Sequence, residues 1–275
     1  MNRQEYSRLI SNRLENQKNY SKDFFENSGK IKYFYVDNLL PVDLVKEIYN
    51  SFPKKEDMIL KKSIREFKYI AAQMDLYNPI LEEIIYAFQQ ENVLKIISEI
   101  TNIKNLVPDE NLYAGGISLM SKGCFLNPHI DNSHDRFRKS YRAFNLLYYV
   151  TPEWKNINGG NFELWPNGIN GKEIMITSSF NRLVVMATDR TSLHSVNEVK
   201  LDVNRCCISN YYFSPISVEQ ESYYHSTSFL GRPDQKLRSL ILTFDANLRT
   251  FARNMLNPLF EKGFIKNPHA YVKKQ

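Results

Sequence analysis

Apolar and polar positions follow two different rhythms along the chain. In "PILEEIIYAFQQENVLKIISEI" (79–100) apolar side chains recur at three- and four-residue steps, which predicts helix, broken near Glu91 and Asn92. "PVDLVKEIYNSF" (41–52) repeats that period, with Pro41 at the first turn and Val42, Leu44, Val45 and Ile48 as its apolar positions. The first thirty residues are polar and charged and predict a helix or a frayed arm, and "IKYFYVDNLL" (31–40) predicts a short aromatic strand. From about residue 106 to 215 the rhythm shortens. "AGGISLMS", "CFLNPHID", "AFNLLYYV", "NFELWP", "EIMIT", "RLVVMAT", "LHSVNEV" and "RCCISNYYF" are β-type runs separated by turn signals such as "NINGG" and "NGING". Eight short strands at this spacing predict an all-β sandwich or barrel. Beyond 215, "DQKLRSLILTFDANLRTFARNMLNPLFEKGF" returns to the helical period.

The expected organisation is one domain over 1–275. Residues 1–105 form helical and strand support, 106–215 a β core, and 216–275 a C-terminal helical region. The fold class is therefore mainly β with flanking α-helices.

Composition changes this picture little. A chain of 275 residues with 43% hydrophobic and 24% charged positions can bury an ordinary core. The net charge of +6 fits a solvated surface and an anionic substrate or cosubstrate; it does not call for a nucleic-acid partner. Cys124, Cys206 and Cys207 make an odd count with no CxxC spacing, which points to a reducing compartment. The opening residues lack an apolar signal core, and no apolar run approaches the roughly 20 residues that span a bilayer. A cytoplasmic protein without membrane contact is expected, its oligomeric state left open.

The chemistry concentrates in "NPHIDNSHD" (127–135). His129 and Asp131 are two apart, so on a strand both side chains point to one face and can reach one ion. Far downstream, "TDRTSLHSVNEV" brings His194 to the start of another strand. Two imidazoles and one carboxylate are the facial set of non-haem Fe(II) oxygenases, which leaves three octahedral positions open. Eleven residues later Arg205 opens an apolar strand, where a guanidinium is costly to bury unless an anion meets its fork. Alternation puts Arg205, Cys207, Ser209 and Tyr211 on one face, with Arg205 and Ser209 forming a small anion site. It also groups Asn145, Leu147 and Tyr149. His134 and Asp135 fall past the strand end in "NSHDRFRKSYR", a polar, mobile segment where His134, Arg136 or Arg138 could contact substrate. His225 and His269 are expected to be structural or surface residues.

These residues carry a family likeness. The set "HID … AFNLLYYV … EW … GGNFELWP … RLVVMATDRTSLHSV … NRCCISNYYFSP" resembles the Fe(II)- and 2-oxoglutarate-dependent dioxygenases of the prolyl-4-hydroxylase-like branch, from about 113 to 215. Further likeness appears in "YYHSTSFLGRP" (223–233). The resemblance implies a double-stranded β-helix, a jelly-roll or cupin-like core. It implies that His129, Asp131 and His194 bind Fe(II), and that Arg205 pairs with the distal carboxylate of 2-oxoglutarate. Tyr149, Ser209 and Asn145 would assist that pairing, and Tyr211 would lie near the metal. In one departure, the family tyrosine ten residues before the first ligand is replaced by Leu119.

The implied reaction hydroxylates an unactivated C–H bond while 2-oxoglutarate and O2 become succinate and CO2, with ascorbate as a candidate stimulant. The C-terminal part resembles bacterial relatives of unassigned substrate, which favours a small-molecule or biosynthetic substrate over a peptidyl-prolyl one. Two other classes compete. A non-catalytic jelly-roll binding protein predicts a broken triad or a lost Arg205, and neither is seen. A zinc hydrolase would use the same ligands but lacks an HExxH-borne glutamate and leaves Arg205 without a purpose.

Overall fold

The computed structural model describes residues 1–113, 115–235, 241–242 and 271. Its helices are α1 (Arg3–Asn16), α2 (Lys18–Asn27), α3 (Val42–Asn50), α4 (Pro79–Ala87) and α5 (Glu91–Thr101). Its strands are β1 (Tyr33–Asp37), β2 (Ile59–Lys62), β3 (Glu66–Ala71), β4 (Val107–Pro108), β5 (Gly116–Met120), β6 (Phe125–Ile130), β7 (Tyr141–Tyr149), β8 (Phe162–Leu164), β9 (Ile174–Ile176), β10 (Arg182–Ala187), β11 (His194–Val196), β12 (Arg205–Ser214) and β13 (Ser228–Phe229).

All eight predicted core strands form, and they join one curled antiparallel sheet in the order β1-β10-β7-β12-β5-β3-β6-β11-β8-β9. This is the expected double-stranded β-helix, mainly β with helices on its outside. Strand alternation divides the sheet into two faces. Phe144, Leu146 and Tyr148 of β7, with Cys206, Ile208 and Tyr212 of β12, meet the helices in the larger core. Tyr149, Cys207, Val184 and Met186 point the other way, into a second core with Trp154, Phe162 and Val196. One face thus anchors the helices while the other is free to build a pocket.

The N-terminal segment is no frayed arm. Asn2 and Glu5 close a capping box on α1. Tyr6, Ile10 and Leu14, spaced four apart, bury one stripe against α4 and α5. The break expected near Glu91 falls at 88–90, just before α5 begins. The β2–β3 hairpin was not predicted, and it supplies β3 to the sheet between β5 and β6. The predicted helices beyond residue 235 lie outside the described residues. No helix among the described residues is long and apolar enough to cross a membrane. The three cysteines are buried with free thiols.

Asn181 welds the β1–α3 turn to the sheet. It sits at φ +60°, which asparagine tolerates better than most residues. Its Oδ1 accepts from Leu40 N (3.1 Å) and from Tyr148 OH (2.8 Å), and its Nδ2 donates to Leu40 O at 2.7 Å. Asn181→Ala strands all three buried partners. It should lower unfolding stability by roughly 2–4 kcal/mol in urea titration; a change under about 0.5 kcal/mol would show that the weld carries no load.

Candidate metal centre

β6 and β11 pair antiparallel with His129 directly opposite His194. Sixty-five residues of sequence separate the two rings, and the register sets their centroids 4.2 Å apart. Asp131 lies one residue beyond the end of β6. Its Oδ1 is 3.6 Å from His129 Nε2 and its Oδ2 is 3.6 Å from His194 Nε2. One ligand atom from each of the three residues lies within 4.8 Å of the others.

Each imidazole is oriented by a backbone carbonyl. His129 Nδ1 meets Asn127 O at 2.9 Å, and His194 Nδ1 meets Ser192 O at 2.8 Å. A carbonyl only accepts, so Nδ1 carries the proton and the Nε2 lone pair is left for an ion. Burial pushes the His129 imidazole down to about 3, with His194 adding to the effect and Asp131 opposing it. Burial lowers His194 too, again against Asp131. For the Asp131 carboxyl burial acts upward. The opposing pull of Arg142, followed by the two imidazoles and Asn145, outweighs it and holds the group below the usual carboxylate range. The three groups therefore stand in their ligating forms, neutral imidazole and carboxylate.

Asp131 is held by two residues of β7. Asn145 Nδ2 donates to Asp131 Oδ2 at 2.7 Å, and Arg142 Nη1 lies 3.2 Å from the same oxygen. The structure thus sets Asn145 against the carboxylate. Arg142 escaped the sequence reading for a specific reason. Strict alternation from Asn145 puts residue 142 on the helix face. The β7–β12 register shifts between Tyr212 and Phe213, so Ala143 is bulged and Arg142 turns to the face of Asn145. A turn signal would not have revealed it.

The anion side lies on β12. Arg205 is 3% exposed. Its Nε donates to Ser178 Oγ at 3.0 Å, Nη1 points to Met120 Sδ at 3.4 Å, and Cζ sits 4.6 Å from the Tyr149 ring centre. Among the described residues no carboxylate pairs with this guanidinium. Among the described residues the buried Tyr149 hydroxyl has no hydrogen-bond partner. Gly160, at φ +64°, packs against Arg205; a Cβ there would come within 2.7 Å of Arg205 Cδ. The "GGNFELW" turn thereby seats the guanidinium.

Arg205, Ser209, Tyr211, His129, Asp131 and His194 line one cavity of about 200 Å3, and Asn145 and Leu147 join them. Residues 115–213 match the family described as the 2OG-Fe(II) oxygenase superfamily. The match spans 99 of the 275 residues, all within the β core.

Structures with the same fold include a prolyl-4-hydroxylase from Pseudomonas putida (15% identity, covering 71% of this chain and 97% of that one, TM-score 0.54). Another is a prolyl 4-hydroxylase from Phytophthora capsici (16% identity, 93% and 87% covered, TM-score 0.55). A third is SnoN, a non-haem alpha-ketoglutarate-dependent epimerase from nogalamycin biosynthesis (11% identity, 80% and 87% covered, TM-score 0.51).

The residues of the cavity suit both groups that the superfamily's name implies. Two imidazole nitrogens and a carboxylate oxygen suit Fe(II). A guanidinium with no counter-ion among the described residues, beside a tyrosine hydroxyl with no hydrogen-bond partner among them, suits a carboxylate. Other predicted positions fall elsewhere. Leu119 turns into the helix-side core, while Gly116, Ser118 and Met120 of β5 line the cavity. His134 and Arg136 do not line the cavity. His134 is buried, bridged to Tyr141 and bonded through Nδ1 to Ser133 Oγ at 2.7 Å. Arg136 stacks on the neighbouring Phe137, with Cζ 5.6 Å from the ring centre. The polar segment is a tied turn: Ser133 N donates to His225 O and Asp135 N to Ser140 O, both at 2.9 Å. His225 Nε2 meets Ser228 Oγ at 3.0 Å, a structural setting, and His269 lies outside the described residues. Ser178 and Phe229 were also unforeseen; Phe229 stacks on His129 at 4.9 Å.

A pH dependence follows for the metal-free protein. His129 and His194 stay neutral in the fold, whereas the unfolded chain protonates them as pH falls through about 6.5. The unfolded state then binds more protons, so stability is full above that pH and is lost below it. Unfolding stability should drop by roughly 2–3 kcal/mol from pH 7.5 to 5.5, and His129→Asn/His194→Asn should remove at least half of that slope. A slope unaltered by the double substitution would mean that both rings already carry protons in the fold.

Proposed function

We propose that the protein is an Fe(II)- and 2-oxoglutarate-dependent dioxygenase that hydroxylates an unactivated C–H bond of a small-molecule, biosynthetic substrate. One observation carries this reading: Arg205, a buried cation without an acidic partner among the described residues, shares a cavity with the His129–Asp131–His194 cluster. A zinc hydrolase would leave that cation uncompensated.

In this reading His129, Asp131 and His194 would hold the ion. Bound there with 2-oxoglutarate, Fe(II) supplies the O2 activation that C–H oxidation requires. The protein's own work is positional. Arg205 receives the distal carboxylate through a charge-assisted fork, and the partnerless Tyr149 hydroxyl donates to the same group. Ser178 accepts from Arg205 Nε and so aims the fork, and Ser209 adds a hydroxyl to the cavity wall. Tyr211 stacks beneath Arg142, with the guanidinium carbon 4.3 Å from its ring centre, and closes the wall beside Asp131. Val196, Leu147 and Phe162 keep the cavity apolar between the polar groups and exclude water.

The space limits what enters. A cavity of about 200 Å3 is smaller than the roughly 300–1,000 Å3 that encloses a drug-sized ligand. With 2-oxoglutarate in place, a substrate inserts one small group rather than its whole body. That constraint also admits the second reading, a peptidyl-prolyl hydroxylase taking one side chain, which the strand motifs favour.

His129→Ala and His194→Ala should each abolish stoichiometric binding of Co(II) and all conversion of 2-oxoglutarate to succinate; turnover surviving in both would defeat the ligand assignment. Arg205→Ala should weaken 2-oxoglutarate binding to the metal-loaded protein roughly 100-fold, because a buried carboxylate loses its forked partner. Succinate release, measured with amino acids, sugars and natural-product intermediates against proline-containing peptides, separates the two substrate classes. Stimulation by peptides alone would replace the small-molecule reading.

A further inference from the structure

The two oxygens of Asp131 are treated unequally. Oδ2 accepts from Asn145 Nδ2 at 2.7 Å, forms an ion pair with Arg142 Nη1 at 3.2 Å and lies 3.6 Å from His194 Nε2. Oδ1 takes no hydrogen-bond donor from the described residues and lies 3.6 Å from His129 Nε2. Arg142 is itself held through its two terminal nitrogens and its ring contact, while among the described residues its buried Nε has no hydrogen-bond partner. It is 3% exposed, its Nη2 donates to Asn132 Oδ1 at 2.7 Å, and its guanidinium carbon lies 4.3 Å from the centre of the Tyr211 ring. Its main chain is fixed as well: Arg142 N donates to Ser133 O at 2.8 Å, and Thr188 Oγ1 donates to Arg142 O at 2.9 Å. A β-bulge at Ala143 is what turns this side chain toward Asp131.

A buried cation set against a metal-binding carboxylate is electrostatically adverse to the metal. It persists where the carboxylate's geometry matters more than its full charge. A facial triad with one carboxylate oxygen bound leaves three of six positions. With both oxygens bound it leaves two, too few for a chelating 2-oxo acid and O2 together.

We propose, resting on the reading of this cluster as an iron site, that Arg142 is a positioning residue that holds Asp131 Oδ2 off the ion, so that the carboxylate ligates through Oδ1 alone. Asn145 marks the same oxygen. Arg142 is rigid, with its fork divided between Asp131 and Asn132, and so resists the rotation of the carboxylate that would bring Oδ2 onto the metal.

The test counts exchangeable waters on the ion. Full-length protein is loaded with Mn(II), saturated with 2-oxoglutarate, and followed by water-proton relaxation. Wild type should keep one exchangeable water. Arg142→Met should lose it, lowering the relaxation enhancement roughly twofold or more. Arg142→Lys, which keeps the charge on a single donor, should keep the water. A purely structural role would lower thermal stability and leave the water number unmoved. If Arg142→Met does not fold, Arg142→Leu, which also removes the charge and every donor, gives the same readout. Wild-type relaxation in Arg142→Met, or in Arg142→Leu where that variant is used, overturns the proposal. Failure of wild type to bind Mn(II) at all would instead sink the iron-site reading on which it rests.

Discussion

The site depends on the register of β11 against β6. A strand shows alternate side chains to opposite faces, so a slip of one residue would turn His194 away from His129 and replace it with Ser195. β11 is only three residues long and cannot hold register by its own ladder. It is held from both sides. On its other edge it pairs with β8, where His194 faces Leu164. Beyond its ends, Trp165 N donates to Leu193 O at 2.9 Å, and Val199 N donates to Cys124 O at 2.9 Å. On the face opposite the metal ligands, Ser195 Oγ donates to Glu163 Oε2 and accepts from Trp165 Nε1, and Arg232 Nη2 reaches the same Glu163 oxygen at 2.8 Å. A buried polar chain thus locks the strand by its back while its front stays available for chemistry.

The buried charges then divide into two kinds. Asp131 is a largely enclosed anion whose compensation is internal, through Arg142 and Asn145. Arg205 is a buried cation whose compensation must come from outside, because among the described residues its guanidinium meets only a serine hydroxyl, a thioether and an aromatic face. Desolvating an unpaired guanidinium costs several kcal/mol. A fold whose purpose was stability alone would have met it with a carboxylate. The unmatched pair, Arg205 and the Tyr149 hydroxyl, is the physical trace of a ligand.

Much of this was legible in the sequence because the β core obeys alternation. His129 with Asp131, the Arg205–Tyr211 series and the Asn145–Tyr149 series each follow from a period of two. The illegible parts are departures from it. Arg142 was hidden by a bulge that moves it one residue out of phase. Leu119, ten residues before His129, faces the helices, which the family spacing alone did not reveal. The β2–β3 hairpin carries "ILKK" and "EFKYIA", whose charged positions blur a strand signal that only pairing with β5 and β6 makes sense of. His134 resembled a loop residue by its neighbours Ser133 and Asp135, and its burial comes from Tyr141 and Tyr224, nearly ninety residues apart at the extreme.

The cavity wall divides along the same line. Ser118, Met120, Leu147, Arg205 and Cys207 stand on regular strands within the 115–213 span shared with the superfamily. Another part of the lining precedes that span. Ile59, Lys68, Ile70 and Gln73 come from the hairpin and the turn after it, and Leu112 and Tyr113 from a tight turn that Asp109 ties by accepting from Tyr113 N and Gly115 N at 2.8 and 3.1 Å. Leu112 holds φ +45°, a conformation a leucine keeps only where its surroundings impose it. These outer residues are half-buried or exposed, apart from Leu112, while Arg205 and Cys207 lie deep. A group inserted beside the cosubstrate would therefore be judged by side chains that no superfamily motif contains. That is why the reaction class can be argued from the regular strands, and why the substrate must be argued from the hairpin and the turn.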